Sequence, residues 1–88
     1  MTLKVKYYFN LDGTVESKIW RNEKGEYHRE NGSACESSNG RRYWYKNNKY
    51  HREDGPAIVW ENGYHEYYLI GKEYTKEEYW KEIRKKRE

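Results

Sequence analysis

The sequence is poor in the residues that usually build a protein interior. Leu, Ile, Val and Phe together account for 11 of 88 residues, with one proline and one cysteine, Cys35. A single cysteine excludes an intrachain disulfide and fits a reducing compartment. No stretch in residues 1–10 resembles a signal peptide, and no window is apolar enough to cross a membrane. We therefore expect a cytoplasmic protein without membrane contact.

Aromatic residues take the place of the missing aliphatic ones. The chain has 11 Tyr and 4 Trp, and its formal net charge is only +3. Large rings can bury enough area to hold a small domain together, so this composition favours a thin aromatic core over disorder. The length suits a single domain. We expect Trp44, Trp60 and Tyr67 to lie in its core.

Turn signals recur along the chain, every seven or eight residues from Gly25 onward. They are Asp12-Gly13, Lys24-Gly25, Asn31-Gly32, Asn39-Gly40, Asn47-Asn48, Asp54-Gly55, Asn62-Gly63 and Gly71-Lys72. Asn-Gly and Asp-Gly predict two-residue hairpin turns. The segments between them are rich in Tyr, Trp, Val and Ile, which suits strands.

Two patterns predict how strands are covered. Leu3, Val5, Tyr7 and Phe9 alternate with more polar residues, as in a half-buried strand. The apolar runs 58–60 and 67–70 predict strands covered on both faces.

An internal repeat of 23 residues runs through the middle of the chain. Residues 27–34, Tyr-His-Arg-Glu-Asn-Gly-Ser-Ala, return as residues 50–57, Tyr-His-Arg-Glu-Asp-Gly-Pro-Ala. We call residues 27–49 the first repeat and residues 50–72 the second. Hairpin units of this length bury a continuous face only by packing against their neighbours.

The C-terminal segment changes from strand to helix character. Thr75 and Glu78 form a capping box, and Tyr79, Trp80 and Ile83 follow at helical spacing. This pattern predicts a helix over residues 76–86 that lies on the last hairpin. The sequence thus predicts a mainly β (α+β) domain, with antiparallel β-hairpin repeats in residues 1–74 and a C-terminal helix with a basic tail in residues 75–88.

The repeat resembles a known family. The string His51-Arg52 with Gly55-Pro56-Ala57, then an Asn-Gly turn and an aromatic pair, is similar to the MORN-like β-hairpin repeats of phage, giant-virus and bacterial proteins. The match covers about residues 25–74 and departs at Ser33 and Cys35. The resemblance implies an antiparallel repeat fold that offers a binding surface. It also implies a mobile-element setting, where some proteins block host defence, as anti-CRISPR-like or antitoxin-like inhibitors do.

His28 and His51 are the obvious residues for acid–base catalysis, as in a small ribonuclease-like enzyme, with Arg29 or Arg52 holding an anion. Because both histidines recur at equivalent repeat positions, we interpret them as turn-building residues. A metal site from His28, His51, His65 and Cys35 lacks any short ligand spacing. Cys35 occupies the repeat position of Ile58, which indicates a small buried apolar residue. We therefore expect no enzyme and no catalytic, cofactor or metal site.

Binding is the remaining function, and the expected partner is a host protein such as a defence nuclease or its nucleoprotein complex. Aromatic and arginine residues dominate protein interfaces. The expected contacts are Arg41, Arg42, Tyr43, Tyr64, Arg84, Lys85, Lys86 and Arg87. The alternative is RNA or single-strand binding, with Tyr43, Tyr45, Tyr64 and Tyr68 as a stacking platform. The charge excess lies wholly in residues 81–88, which leaves a neutral body and argues against strong phosphate binding. An exposed sheet edge would also favour a homodimer.

Overall fold

A computed structural model describes residues 3–87 and confirms a mainly antiparallel β fold with one C-terminal helix. The elements are β1 (Lys4–Phe9), β2 (Val15–Arg21), β3 (Cys35–Ser37), β4 (Arg42–Tyr43), β5 (Tyr45–Lys46), β6 (Lys49–Tyr50), β7 (Ile58–Val59), β8 (His65–Leu69), β9 (Lys72–Tyr74) and α1 (Lys76–Arg87). Seven strands form one sheet in the order β1-β2-β3-β4-β7-β8-β9, and β5 pairs with β6 in a separate hairpin.

The register of the long sheet places chemically similar residues in rows. Ile19 lies opposite Cys35, Cys35 opposite Tyr43, and Tyr43 opposite Ile58. Residues directly opposite each other share a face of the sheet. Cys35 therefore occupies an apolar row that runs across four strands, as its match to Ile58 in the repeat indicates.

Most glycine turns are longer than the two-residue turns that we predicted. In the turn at Gly13, the Gly13 N–H donates to the Asn10 carbonyl (3.0 Å) and the Asn10 N–H to the Thr14 carbonyl (2.8 Å). The same pair of bonds closes the turns at Gly25, Gly40 and Gly63. In each of these turns the glycine has a positive φ and follows a type I turn. Only the glycine position, and not the two residues before it, therefore requires the left-handed conformation. For these four turns the prediction was right in place and wrong in type, whereas Asn31-Gly32 and Asp54-Gly55 lie in the loops that enter β3 and β7 and form no hairpin turn.

Two-residue turns with positive φ at both positions occur once in each repeat. They are Asn47-Asn48 (φ 48° and 71°) and Ile70-Gly71 (φ 47° and 79°). Ile70 therefore lies in a turn and is exposed, which corrects its assignment to a strand covered on both faces.

The 23-residue repeat is also a repeat of hydrogen bonds. The Arg29 N–H donates to the Tyr45 carbonyl, and 23 residues later the Arg52 N–H donates to the Tyr68 carbonyl. Asn48 and Gly71 likewise donate to the carbonyls of Tyr27 and Tyr50. The two units therefore fold alike, and the pairing of β8 with β9 corresponds to the pairing of β5 with β6.

The helix begins and packs as its sequence predicts. The Glu78 N–H donates to Thr75 Oγ1 (3.2 Å), and the Thr75 N–H donates to Glu78 Oε1 (3.1 Å), which completes the capping box. Tyr79 and Ile83 are buried against Leu69 of β8, with Trp80 half-buried beside them. This cluster is the main hydrophobic core that the described residues form, so the helix is needed to cover the last hairpin.

Two expectations about burial are corrected. Trp44 and Trp60 are half-buried outside the core cluster, while Tyr67 is half-buried but packs against it. The buried apolar residues of the repeats are Ala34, Ala57, Ile58 and Leu69. The apolar row of β1 (Leu3, Val5, Tyr7 and Phe9) is exposed along its whole length, not half-buried, because β1 is an edge strand that no other layer covers.

Candidate interaction surfaces

The histidine of each repeat holds the backbone of a turn. His28 Nδ1 accepts a hydrogen bond from the Asn47 N–H (3.0 Å), and Nε2 lies 2.8 Å from Glu30. In the second repeat, His51 Nδ1 accepts from the Ile70 N–H (2.9 Å), and Nε2 lies 3.0 Å from Glu53. An accepting Nδ1 places the proton of the neutral ring on Nε2. This arrangement supports the turn-building interpretation, since both ring nitrogens are engaged.

The arginine of each repeat is stacked on a tryptophan. The Arg29 guanidinium lies 3.8 Å from the ring centre of Trp20, and Arg52 lies at the same distance from Trp44. Both also donate to a backbone carbonyl four residues ahead, at 3.1 and 3.0 Å. A Cβ built on Gly55 would come within 2.9 Å of the Arg52 guanidinium, so this close approach requires glycine. These arginines stabilise the loop rather than present a free anion site.

Cys35 is half-buried, and burial raises the pKa of its thiol to about 11. A thiol with a raised pKa is a poor nucleophile near neutral pH. Within residues 3–87, no group of three or more His, Cys, Asp or Glu side chains could hold a metal ion.

Most of the tyrosines proposed as a stacking platform stack on one another. Four tyrosines form a continuous array in the order Tyr27, Tyr45, Tyr50, Tyr68. The ring centres of neighbours in this array lie 4.6–5.1 Å apart. Tyr43 joins the array through Tyr50, at 6.3 Å. The array links the repeats along one face, and burial raises the pKa of Tyr45 and Tyr68. Tyr64 stands apart from it and is 63% exposed.

Arg41 and Tyr64 both lie beside Trp60, next to the turn that leaves β7. The Arg41 guanidinium lies 5.9 Å from the ring centre of Trp60 and 3.8 Å from Glu61, and the Trp60 N–H donates to the Tyr64 carbonyl. Arg42 is engaged elsewhere, because it donates to the carbonyls of Ser37 and Arg41 at 3.0 Å. Of the four residues predicted here, Tyr64 is exposed and Arg41 is half-buried beside Trp60, while Arg42 and Tyr43 are engaged within the fold.

The basic tail lies on the last turn of α1, away from Arg41. Arg84, Lys85, Lys86 and Arg87 are exposed. Lys86 approaches Glu53 at 3.9 Å, and Lys85 approaches Glu82 at 3.5 Å. Glu53 lies in the loop that enters β7, whereas Glu61 lies in the turn that leaves it. The structure therefore separates the predicted contacts into two groups.

A surface that the sequence analysis missed lies beside the tail. Lys46, Asn47, Lys49, His51, Glu53 and Ile70 line one shallow depression. We call Lys46, Lys49, Ile70 and Lys86 the Ile70 surface. Glu53 interacts with several of these residues: His51 Nε2 lies 3.0 Å from its carboxyl and Lys86 lies 3.9 Å from it. The hydrogen bond from His51, and then the charges of Lys86 and Lys46, lower the pKa of this carboxyl. The repeat alignment contains the missed signal, since it places Ile70 at the position of the turn residue Asn47.

No family model, curated protein or solved structure matches the chain. The similarity to MORN-like repeats therefore rests on the motif alone and stays a prediction. Among the described residues, no helix is long and apolar enough to cross a membrane.

Proposed function

We propose that the chain is a non-enzymatic binding module that docks on an acidic surface of another protein through the Ile70 surface. The observation that carries this proposal is the conformation of Ile70. Its φ of 47° belongs to the left-handed region, and its side chain is 63% exposed. A β-branched residue is a rare and strained choice there.

The first repeat shows that this strain is avoidable. Asn47 occupies the equivalent turn position with φ 48°, and asparagine tolerates that conformation well. Both turns donate the same backbone bond to a histidine. The turn therefore gains nothing from isoleucine that asparagine would not provide. An exposed isoleucine is, however, suited to be an apolar anchor for a partner.

The charges around Ile70 indicate what kind of partner would fit. Lys46 and Lys49 line the same depression as Ile70, Glu53 is its acidic group, and Lys86 approaches Glu53 at 3.9 Å. A small apolar anchor with a basic rim complements an apolar pocket with an acidic rim. The exposed Arg84, Lys85 and Arg87 extend the same positive charge along the helix end.

The resemblance to phage and mobile-element repeats supports a more specific form of the proposal. In that form the partner is a host protein, such as a defence nuclease or its nucleoprotein complex, and the module inhibits it by occluding a working surface. Arg41 and Tyr64, beside the turn that leaves β7, provide a second contact to a large partner of this kind.

The test is affinity capture from bacterial host lysate with immobilised chain after nuclease treatment, followed by titration of the purified retained protein. Ile70→Asn copies the first repeat into the second. We expect this substitution to raise the free energy of unfolding by about 1 kcal/mol, because the strain is relieved, and to weaken binding roughly tenfold or more. A gain in stability with a loss of binding is a combination that simple unfolding cannot produce.

Leu11→Asn is the matched control, because Leu11 is fully exposed in the first turn, far along the chain from the Ile70 surface. It should leave binding and stability unchanged. Binding that survives Ile70→Asn would overturn the proposed surface. Retention that disappears with nuclease, and falls steeply with salt, would favour the nucleic-acid alternative.

The second contact needs separate variants. Arg41→Ala and Tyr64→Ala should weaken binding of a large partner without unfolding the domain. Arg42→Ala should instead destabilise the domain modestly, since it removes the side-chain donor to the Ser37 and Arg41 carbonyls. These carbonyls keep their backbone donors, the Gly40 and Ser37 N–H groups. Equal binding by Arg41→Ala, Tyr64→Ala and the unmodified chain would restrict the interface to the Ile70 surface.

A further inference from the structure

The longer edge of the sheet is β1, and it combines two features that rarely stay uncovered. Among the described residues β1 pairs only with β2, so alternate backbone N–H and C=O groups face outward. Val5, Tyr7 and Phe9 also form an apolar row on one face, each between 46% and 59% exposed. Leu3 precedes this row, and Leu11 lies beyond it in the turn that follows β1.

The edge is regular enough to accept another strand. The bulge between β1 and β2 lies in β2, where Glu16 is skipped between the partners of Tyr8 and Phe9. β1 itself keeps an unbroken alternation, with Lys4, Lys6 and Tyr8 on the opposite face from the apolar row. The outer edge at β9 is shorter, covering only Lys72–Tyr74.

We propose that β1 pairs antiparallel with β1 of a second copy of this chain, about a twofold axis at Tyr7. The residue pattern of β1 is complementary to itself in this register, which favours a second copy as the occupant. Opposed residues share a face, so a register that keeps apolar residues together must match odd positions with odd ones. An axis at Lys6 would oppose two lysines, and an axis at Val5 would place Lys4 opposite Lys6, both of which are unfavourable.

An axis at Tyr7 avoids every such conflict. It places Val5 opposite Phe9, Tyr7 opposite itself and Lys6 opposite Tyr8, and it pairs residues 5–9 of each copy. Lys6 already lies over the Tyr8 ring within one chain, with Nζ 5.3 Å from the ring centre, so the same contact across the axis is chemically compatible. An axis at Tyr8 would pair only residues 7–9 of the strand.

Pairing in this register provides partners both for the free backbone groups of β1 and for its apolar row. The outward backbone groups of β1 gain partners, and the apolar rows of the two copies become one continuous stripe across the dimer. The complete absence of acidic residues from residues 3–9 leaves no charge attraction within the pair, so backbone pairing and apolar contact hold it together.

Sedimentation equilibrium over a concentration series tests the association, with Tyr7→Glu as the decisive variant. Tyr7 lies opposite Lys18 on β2, so the glutamate gains an opposite charge within its own chain. Across the twofold axis it would face a second glutamate. We expect the dimer dissociation constant to rise roughly tenfold or more while the folded monomer keeps its stability. Leu11→Glu, at the rim, should have a smaller effect.

Cysteine cross-linking in a Cys35→Ser background tests the register. Directly opposed residues lie about 4.5–5.5 Å apart between Cα atoms, within disulfide range. Tyr7→Cys should cross-link with itself under mild oxidation, whereas Val5→Cys should cross-link with Phe9→Cys and not with itself. A chain that remains monomeric at all concentrations, or a dimer that survives Tyr7→Glu, would overturn the proposal. Efficient self-cross-linking of Val5→Cys would overturn the register.

Discussion

The hydroxyl group of Tyr79 on α1 donates a hydrogen bond to the carbonyl oxygen of Arg52 in the loop of the second repeat. The same hydroxyl accepts a bond from the Gly55 N–H (3.3 Å), and the Tyr79 side chain is fully buried. One residue therefore joins the helix to the loop whose arginine stacks on Trp44. The terminal helix is in this way part of the second repeat as well as its cover.

Tyr79→Phe should destabilise the domain by about 1–3 kcal/mol, because two buried backbone groups lose their partner while the ring still fills its place. Urea unfolding measures the change. Tyr64→Phe is the matched control, since the exposed Tyr64 ring should tolerate the loss of its hydroxyl with no measurable effect. Equal unfolding midpoints for the two variants would show that the Tyr79 bonds contribute nothing.

The two histidines should respond alike to substitution. His28→Gln and His51→Gln each remove the acceptor of a turn N–H, of Asn47 in one repeat and Ile70 in the other. We expect each change to cost about 1–3 kcal/mol of stability. Thermal and urea unfolding of the two variants give the comparison. Loss of a ribonuclease activity from one variant, with the other silent, would support the enzyme alternative instead.

Acid sensitivity should depend on Glu53. The hydrogen bond from His51 lowers the pKa of this carboxyl below its ordinary value of 4.5, so the folded state favours the carboxylate. The resulting stability is present above pH 4.5 and is lost as the pH falls through the lowered pKa. Unfolding curves collected across this range should show a shallower acid loss for Glu53→Gln. Parallel curves for both proteins would contradict the prediction.

Cys35 should react slowly in the folded protein. Burial raises the pKa of its thiol from the ordinary 9.0 to about 11, which lowers the thiolate fraction at mildly alkaline pH. Iodoacetamide should therefore label the native chain on the order of a hundredfold more slowly than the chain in urea. Mass spectrometry follows the modification over time. Equal labelling rates in both conditions would mean that the folded chain opens readily around Cys35.

Local signals in the sequence were sufficient for the helix and the repeat. The capping pair Thr75 and Glu78 acts between neighbours, and the apolar spacing of Tyr79 and Ile83 follows the helix period. The 23-residue repeat became a repeat of hydrogen bonds because equal local sequences make equal turns. The type of the glycine turns was missed, since the same Asn-Gly pair fits two loop lengths and strand pairing selects between them.

Burial was harder to predict because it depends on what lies above a strand. The alternation of β1 is typical of a half-buried strand, yet Val5 and Tyr7 are exposed because no layer of the described residues covers their face of the strand. Ile70 belongs to an apolar run but falls in the turn that strand pairing imposes. Arg42 and Tyr43 have the chemistry of interface residues, but the structure uses them for a turn and for the tyrosine array.

The sequence by itself determined the fold class, the repeat, the helix with its cap and the structural use of the two histidines. These features depend on contacts between residues close along the chain or copied at a fixed interval. Only the tertiary structure decided which aromatic residues remain exposed, how Lys86 reaches Glu53, and where Ile70 meets the lysines around it. Those relationships join segments far apart in the chain, and no local preference encodes which segments become neighbours.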